Sequence, residues 1–349
     1  MKRLFGSLYV CALLIILTAS AQAVQYQMID LGIGQAFGIN NSGQVVGASN
    51  GHACLWQNGS PMQDLGSFGG TSIARAINNS GQVAGDSTTI VPGEVHAFVS
   101  MQDLGSLGGN YSHAYGVNDS GQVVGYSTTM GPNGARAFLW QSDSPMRDLG
   151  TLGGDYSWAN AINNKGQVAG YSYITGNAAD HAFLWQSGSP MQDLGTLGGY
   201  ASQANGINNN GLVVGYSRLT GNNTGHAFLW QNGSPMQDLG TLGGTGSEAY
   251  GINNNGQVVG WSYNPGNSDI QAFLWQNGVM QDLGSMGGNQ NRATGINDNG
   301  WIVGWSDDVD GKDHAVLWQP IPVPEPSSIL TLLCGIGTLG GLVLRRRLG

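Results

Sequence analysis

The amino-acid sequence predicts an all-β fold built from seven repeats of about 45 residues, each with four short strands. A GIN or AIN motif recurs at intervals of 38, 40, 45, 45, 45 and 44 residues, counted from its Ile or Val. Periods of this size are typical of solenoids and of propellers with four-stranded blades. The landmark residues are Ile39, Ile77, Val117, Ile162, Ile207, Ile252 and Ile296.

Each repeat contains four segments with the character of strands. In their fullest forms these are AxGIN, GQVVGYS, HAFLW and MQDLG, and a glycine-rich connector such as GTLGG leads to the next repeat. An Asn-x-Gly turn joins the first two segments, because glycine accepts the positive φ that a hairpin turn requires. No segment exceeds about seven residues or has a helical period, so we expect short strands throughout.

The two ends of the repeat region are out of phase by one strand. The region opens with YQMIDLG, a fourth segment without the first three, and closes with HAVLWQ, a third segment without a fourth. A ring gains from this offset, because the N-terminal strand completes the last sheet and removes an open edge. We therefore predict a seven-bladed β-propeller over residues 24–320, closed by pairing Tyr26–Leu31 with Ala315–Gln319.

The N-terminal 23 residues have the composition of a secretory signal peptide. Lys2 and Arg3 form a basic start, Leu8 to Leu17 an apolar stretch, and Ala21-Gln22-Ala23 a small-x-small cleavage site. The alternative is a permanent membrane anchor, which the short apolar run disfavours because a span needs about 20 residues. We expect the mature chain to start outside the cytoplasm.

The C-terminus has three parts: a linker at 321–328, and an apolar run and a basic tail that together occupy 329–349. It resembles the PEP-CTERM sorting signal of Gram-negative bacteria on Pro324, Glu325 and Pro326, the run Ile329 to Leu344, and Arg345, Arg346 and Arg347. The resemblance implies processing by exosortase, a membrane protease, and a single transmembrane helix before processing. The alternative is a plain tail anchor. Whether the segment is cleaved stays open.

The repeats between the two terminal segments resemble the HAF family of extracellular repeats at HAFLW, DLGTLGG and INNxGQVVGxS. The resemblance covers nearly all of the exported region. It implies an exported repeat protein that commonly carries sorting signals, and it implies no catalytic residue and no ligand.

Composition limits the possible partners. The chain has 59 glycines and only 9% charged residues, which fits many turns between buried strands. Without the two terminal segments, 20 acidic and 7 basic residues remain, a net charge of −13. This balance argues against nucleic acid and permits divalent cations or neutral glycans.

The repeated polar residues have a structural and a functional interpretation. Histidine opens the third segment in five repeats, and aspartate occurs in every DLG segment. We interpret these pairs as strand-end hydrogen bonds, because catalysis needs one convergent set of unlike groups. An Asn directly follows each landmark Ile or Val, and we call it the landmark Asn; it is interpreted as a turn residue that binds its own backbone.

Two further features have a simple structural interpretation. Cys54 occupies a position that other repeats fill with Phe or Val, and we interpret it as a core residue. The acidic loop at 307–313 is either a solvated loop or a calcium site.

Two variable positions precede each landmark residue and mark the candidate ligand rim. The first comprises Gln35, Ile73, His113, Trp158, Gln203, Glu248 and Arg292; the second comprises Phe37, Arg75, Tyr115, Asn160, Asn205, Tyr250 and Thr294. Variation confined to one rim of a rigid scaffold is typical of a binding surface. The best candidates are His113, Tyr115, Trp158, Glu248 and Arg292.

The sequence thus predicts a non-enzymatic, exported binding or structural module of the cell surface or matrix. We expect no catalytic residue, metal or cofactor. Exopolysaccharide and another surface protein are the candidate partners. The alternatives are a secreted propeller enzyme that acts on polysaccharide, as a lyase or hydrolase, and a structural component of a surface layer.

Overall fold

The computed structural model describes residues 24–57, 60–131, 134–221 and 224–321. Their regular structure consists of β-strands and one short 3-10 helix, Thr175–Asn177. The predicted signal peptide, the sorting motif and the predicted transmembrane segment lie outside these residues. Among the residues that are described, no helix has the length and apolarity needed to span a membrane.

Twenty-eight strands occur in the described residues. In chain order they are β1 (Tyr26–Ile33), β2 (Gln35–Ile39), β3 (Val45–Ser49), β4 (His52–Trp56), β5 (Gln63–Gly66), β6 (Ser72–Ile77), β7 (Val83–Thr88), β8 (Val95–Val99), β9 (Gln102–Asp103), β10 (Gly108–Val117), β11 (Val123–Thr129), β12 (Ala135–Trp140), β13 (Arg147–Asp148), β14 (Gly153–Ile162), β15 (Val168–Ile174), β16 (Asp180–Trp185), β17 (Gln192–Asp193), β18 (Gly198–Ile207), β19 (Val213–Leu219), β20 (Gly225–Trp230), β21 (Gln237–Asp238), β22 (Ser247–Ile252), β23 (Val258–Tyr263), β24 (Ile270–Gln276), β25 (Val279–Asp282), β26 (Gly287–Ile296), β27 (Ile302–Asp308) and β28 (Asp313–Pro320).

Antiparallel pairing sorts these strands into groups of four, which we call units. Units I to VI are β2–β5, β6–β9, β10–β13, β14–β17, β18–β21 and β22–β25, and unit VII is β26, β27, β28 and β1. Single parallel bridges, Tyr111 to Val95 and Ile270 to Gln290, join units II with III and VI with VII into eight-stranded sheets. The predicted order of strands within each repeat is confirmed.

The N-terminal strand pairs with the C-terminal one, as the phase offset predicted. The antiparallel register of β1 and β28 runs from Tyr26 opposite Pro320 to Ile33 opposite His314, with an irregularity between Asp30 and Gly32. The first strand also contacts unit I, because Nε1 of Trp56 donates a hydrogen bond to the Leu31 carbonyl over 3.1 Å. The two ends of the described chain therefore meet.

Two sets of hydrogen bonds link each unit to the next. In the first set, the landmark Asn side chain donates from Nδ2 to the backbone carbonyl of the next landmark Asn over 2.9–3.1 Å. In the second, the backbone N–H of the following residue donates to the next unit's equivalent side-chain Oδ1 over 2.8–3.0 Å. Both sets include a bond from unit VII back to unit I, from Asn297 to Asn40 and from Asp298 to Asn41.

The landmark Asn also binds its own turn. Oδ1 of Asn208 accepts the N–H groups of Asn210 and Leu212 over 3.0 Å. The predicted turn role is confirmed, and the bond between units is an addition that the repeat alone did not indicate. Because the same side chain serves both purposes, each hairpin turn is fixed to its neighbour.

The core lies between successive units. The third-strand Phe is fully buried in units II to VI, and Cys54 and Val316 occupy its position at 0–1% exposure in units I and VII. Buried serines join the layers: Oγ of Ser202 accepts the Ala182 N–H over 2.9 Å and donates to the Gly195 carbonyl over 2.6 Å. The predicted core role of Cys54 is confirmed.

Strand lengths differ from the sequence prediction. The prediction that no strand exceeds about seven residues was wrong, because β10, β14, β18 and β26 have ten residues each. The final Gly-Gly of the connector begins these strands, where Gly198 pairs with Leu219. By contrast, the fourth strands β9, β13, β17 and β21 have only two residues.

Candidate functional site

A β-bulge interrupts the first strand of every described unit at the same place. Between Ala204 and Gly206 the register with the second strand shifts by one, which leaves Asn205 without an opposite partner. Bulges are known to redirect a side chain near functional sites. The seven bulge residues are Phe37, Arg75, Tyr115, Asn160, Asn205, Tyr250 and Thr294.

The glycine of the VVG or VAG motif makes room for the bulge. A Cβ at Gly215 would lie 1.9 Å from the Gln203 carbonyl oxygen, and the six equivalent glycines have the same conflict at 1.8–2.0 Å. No side chain fits at such a distance. The repeated glycine of the second strand is therefore a consequence of the bulge that it faces.

All seven bulge side chains line one cavity of about 490 Å³, which we call the mouth cavity. Gln203 and Arg292 line it from the first strands, and Tyr171 and Trp305 from the second strands. Its volume falls within the range of about 300–1,000 Å³ that is usual for ligand sites. The lining contains five aromatic rings and two arginines but no carboxylate.

Arg75 is held by an ion pair behind the cavity wall. Its Nε donates to Oδ1 of Asp86 over 2.5 Å, and its guanidinium lies 4.9 Å from the centre of the Tyr115 ring. Burial alone would lower the pKa of Arg75, but the Asp86 carboxylate outweighs this effect and raises it. Burial would likewise raise the pKa of Asp86, which contacts with His113 and Arg75 hold below its usual value. The charge of Arg75 is thus largely balanced.

Arg292 is held differently. Its guanidinium lies 5.1 and 5.6 Å from the ring centres of Trp261 and Trp305, and Nη1 donates to the Tyr250 hydroxyl over 3.2 Å. Among the described residues, its buried Nε has no hydrogen-bond partner and no carboxylate lies within ion-pair distance of it. A guanidinium has five N–H donors, so most of those on Arg292 have no partner among the described residues.

Glu248 lies behind the cavity wall beside Arg292. Its carboxylate accepts hydrogen bonds from Asn205 Nδ2 over 3.0 Å and from Trp261 Nε1 over 3.1 Å. Burial raises its pKa, and these bonds together with the Arg292 charge offset only part of that effect.

The five candidate rim residues separate into three places. Tyr115 and Arg292 line the mouth cavity, whereas His113 and Glu248 are behind its wall. His113 stacks on Tyr126 with ring centres 4.8 Å apart. Trp158 lines a different pocket. The whole ring of bulge positions is recognisable in the sequence as one variable position of the repeat. Tyr171 and Trp305 come from second strands, and no feature of the repeat indicates that they line the cavity.

The His and Asp residues of the repeats form pairs at strand ends. In units I, II, IV, V and VII, Nδ1 of the third-strand His lies 2.8–3.0 Å from a carboxylate oxygen of the DLG Asp. In unit VII the Asp is Asp30 of the N-terminal strand, so the pair joins the two ends of the chain. The structural interpretation of these residues is confirmed.

The acidic loop at 307–313 is occupied by internal hydrogen bonds. Oδ1 of Asp308 accepts the N–H groups of Asp310 and Lys312, and Asp313 accepts a bond from Gln35 Nε2 over 2.6 Å. No group of three or more His, Cys, Asp or Glu side chains suited to a metal occurs within the described parts of the chain.

Beyond the bulge, the first strands lead to a second pocket of about 170 Å³. Its lining consists of the landmark residues and the two residues that follow each of them. Asp119 and Asp298 are the acidic members. Burial would raise the pKa of Asp119, but hydrogen bonds from Asn79 and Asn164 keep it below its usual value. The polar side chains that line this pocket mainly form hydrogen bonds with one another.

Comparisons with known proteins identify the C-terminus and leave the repeats unassigned. Residues 322–347 match the PEP-CTERM protein-sorting motif, which implies export, sorting to the cell surface and processing by exosortase. No curated protein matches the sequence.

Two solved structures are similar to the described fold. TolB from Acinetobacter baumannii has 12% identity and a TM-score of 0.47 over 72% of this chain, and dipeptidyl peptidase 4 from Porphyromonas gingivalis has 9% identity and a TM-score of 0.43 over 78%. The matched parts span 62% and 48% of the lengths of these two proteins. The described residues form an all-β fold, and the chain carries a PEP-CTERM sorting motif.

Proposed function

We propose that this protein is a non-enzymatic binding module of the cell surface that holds an acidic polysaccharide in its mouth cavity. The PEP-CTERM motif implies export and sorting to the cell surface. Exopolysaccharide is the surface ligand class that we propose for it there. Export through the signal peptide at 1–23 and membership of the HAF repeat family are parts of the same proposal. The C-terminal segment 329–349 anchors the chain before exosortase acts.

The proposed scaffold is a closed seven-bladed β-propeller. Support comes from the pairing of β1 with β28 and from the hydrogen bonds that return from unit VII to unit I. A closed ring keeps seven bulge residues at fixed distances from one another. Such preorganisation reduces the entropy that a ligand site loses on binding.

The observation that carries the proposed ligand class is the guanidinium of Arg292, which donates one hydrogen bond to Tyr250 and has no ion-pair partner among the described residues. The body as a whole is strongly acidic, a balance that permits divalent cations or neutral glycans, yet the cavity lining has two arginines and no carboxylate. A half-buried cation whose donors are mostly without partners among the described residues favours an anionic acceptor. A carboxylate accepts two parallel N–H bonds from a guanidinium. Aromatic rings beside it suit the apolar faces of pyranose sugars. A uronic acid combines both features.

The test is calorimetric titration of the purified protein with galacturonic acid oligomers and with neutral malto-oligomers of equal length. We expect the acidic oligomers to bind more tightly. Replacing Arg292→Met should weaken their binding by at least tenfold, because a charge-assisted hydrogen bond contributes about 1.5–3 kcal/mol.

Arg147→Met is the matched control, because Arg147 also packs over a tryptophan, Trp185 at 5.2 Å, but lies outside the mouth cavity. It should bind like the unaltered protein. Equal binding of neutral and acidic oligomers, or unchanged binding by the Arg292 variant, would contradict the proposal.

A polysaccharide lyase is the second candidate function, and the contact between Arg292 and Tyr250 favours it. A lyase needs a cation to neutralise the uronate carboxylate and a base to remove the neighbouring proton, and a phenolate is one such base. Burial raises the pKa of Tyr250, however, which makes it a poor base near neutral pH. Ultraviolet absorbance from an unsaturated product, lost in Tyr250→Phe, would identify the lyase.

A further inference from the structure

A third pocket, distinct from the two described above, lies beside the mouth cavity between units III and IV, and we call it the outer pocket. It has a volume of about 330 Å³ and is lined by Thr128, Thr129, Gly131, Gly134, Ala135, Tyr156, Trp158 and Tyr173. No charged side chain is present in this lining. Its chemistry is therefore different from that of the arginine-bearing cavity.

Aromatic rings connect the two spaces. Tyr171, which lines the mouth cavity, stacks on Trp158 with ring centres 4.8 Å apart and an angle of 15°. Trp158 in turn stacks on Tyr156 at 5.9 Å and 13°, and Tyr156 meets Tyr173 edge to face at 5.6 Å. We call these four residues the aromatic ladder.

The strand geometry explains the ladder. Tyr156 and Trp158 are two residues apart on β14, and Tyr171 and Tyr173 are two residues apart on β15. Residues two apart on a strand share a face, so all four side chains point to the same face of unit IV. Trp158 is directly opposite Tyr171 in the register. Tyr156 remains 37% exposed although it belongs to this stack, so the ladder has an accessible outer end.

The outer pocket also contains an unsatisfied polar group. Oγ1 of Thr129 is buried and has no hydrogen-bond partner among the described residues. Such groups are uncommon in folded proteins and call for an explanation. Aromatic faces next to hydroxyl groups suit the apolar face of a pyranose ring.

We propose that the outer pocket is a second saccharide subsite, and that one glycan chain runs from the mouth cavity along the aromatic ladder into it. This inference rests on the proposed function of the mouth cavity and specifies its ligand as a chain of several sugars. The arginine-bearing cavity takes a carboxylate-bearing residue, and the outer pocket takes the pyranose ring of a later residue through its apolar face.

The test uses galacturonic acid oligomers of two to seven residues, titrated into the purified protein by calorimetry. Affinity should rise with length by about tenfold from the shortest oligomer that binds to the longest. In Tyr156→Ala the short oligomers should bind as before, and the gain with length should disappear. Trp158→Phe, which keeps an aromatic ring, should retain part of the gain.

Tyr111→Ala is the control, because Tyr111 occupies the equivalent strand position in unit III, is 42% exposed and has no ring contact among the described residues. It should keep the length dependence. Binding of short oligomers without any gain in the unaltered protein would overturn the second subsite but leave the mouth cavity in place. Failure of every oligomer to bind would overturn both proposals.

Discussion

Glu248 illustrates how a single buried residue sets the chemistry of the mouth cavity. Its carboxylate is a neighbour of Asn205 and Tyr250, two bulge residues, and of the Trp261 ring on which Arg292 rests. Burial raises its pKa above the ordinary value of 4.5. A group of this kind binds its proton more tightly in the folded than in the unfolded chain.

The first prediction concerns Glu248→Gln and pH. Since the folded chain holds more protons at this site, the free energy of unfolding should fall as pH rises from 4.5 towards the folded pKa, by at most about 1.4 kcal/mol per pH unit. The variant should lack this decline. Urea denaturation at a series of pH values measures it, as the difference between the two proteins.

Asp119 and Asp298 provide an internal contrast, because their pKa values are lowered from the ordinary value of 3.8. Their contribution to the free energy of unfolding is present above pH 3.8 and is lost as the pH falls through their folded pKa values. They contribute equally in both proteins and cancel in the difference. A difference between the two proteins that does not change with pH above 4.5 would show that burial of Glu248 has no effect on its pKa in the folded chain.

At the scale of the strand, the β-bulge separates what the sequence could predict from what it could not. The landmark Asn and the turn glycines defined where strands lie, because both have local causes in turn geometry. The bulge depends on how two strands pair, and the sequence of one segment alone does not indicate that pairing. Hence Tyr115 and Trp158, both on first strands, appeared equivalent as rim residues. Tyr115 is a bulge residue and points into the cavity, whereas Trp158 precedes its bulge and faces the outer pocket.

The second prediction tests the glycine that faces the bulge. Gly215→Ala introduces a Cβ 1.9 Å from the Gln203 carbonyl oxygen, so the strand pair must shift. We expect a loss of about 3 kcal/mol in the free energy of unfolding and a weaker affinity of the mouth cavity, because Asn205 loses its fixed position.

Gly246→Ala is the matched substitution in the neighbouring unit. The nearest atom to its new Cβ is the Gly225 carbonyl oxygen at 3.4 Å, an ordinary contact. Its stability should change by less than about 1 kcal/mol. Similar effects of the two substitutions would mean that the second-strand glycine is not required by the bulge.

At the scale of the whole molecule, stability depends on the contact between the two ends of the chain. Met28, Ile29 and Leu31 of β1 pack against buried residues of units VII and I. The same strand supplies Asp30 to the histidine pair of unit VII. The phase offset of the repeats was sufficient to predict this pairing. The last repeat lacks its fourth strand, and the unpaired fourth segment at the N-terminal end is the one that can supply it.

The third prediction is that deletion of residues 24–32 destabilises the protein far more than the shortening of an exposed loop. Loss of the buried contacts of three apolar side chains alone costs about 5 kcal/mol, at roughly 1.5–3 kcal/mol each. Thermal unfolding monitored by circular dichroism measures the effect. Replacing loop residues 89–94 by two glycines is the control. If both changes lower the melting temperature equally, the terminal strand does not hold the two ends together.

The position of β28 also determines how mechanical load enters the protein. The described chain ends one residue after β28, on the way to the sorting motif at 322–347. β28 has hydrogen-bonded partners on both sides, β27 and β1, and the Ile321 N–H donates to the Gln25 carbonyl over 2.8 Å. A pull applied along the strand to the chain beyond residue 321 would therefore load many hydrogen bonds in shear at once. β28 is an inner strand of its sheet, so such a load would not act on an edge strand.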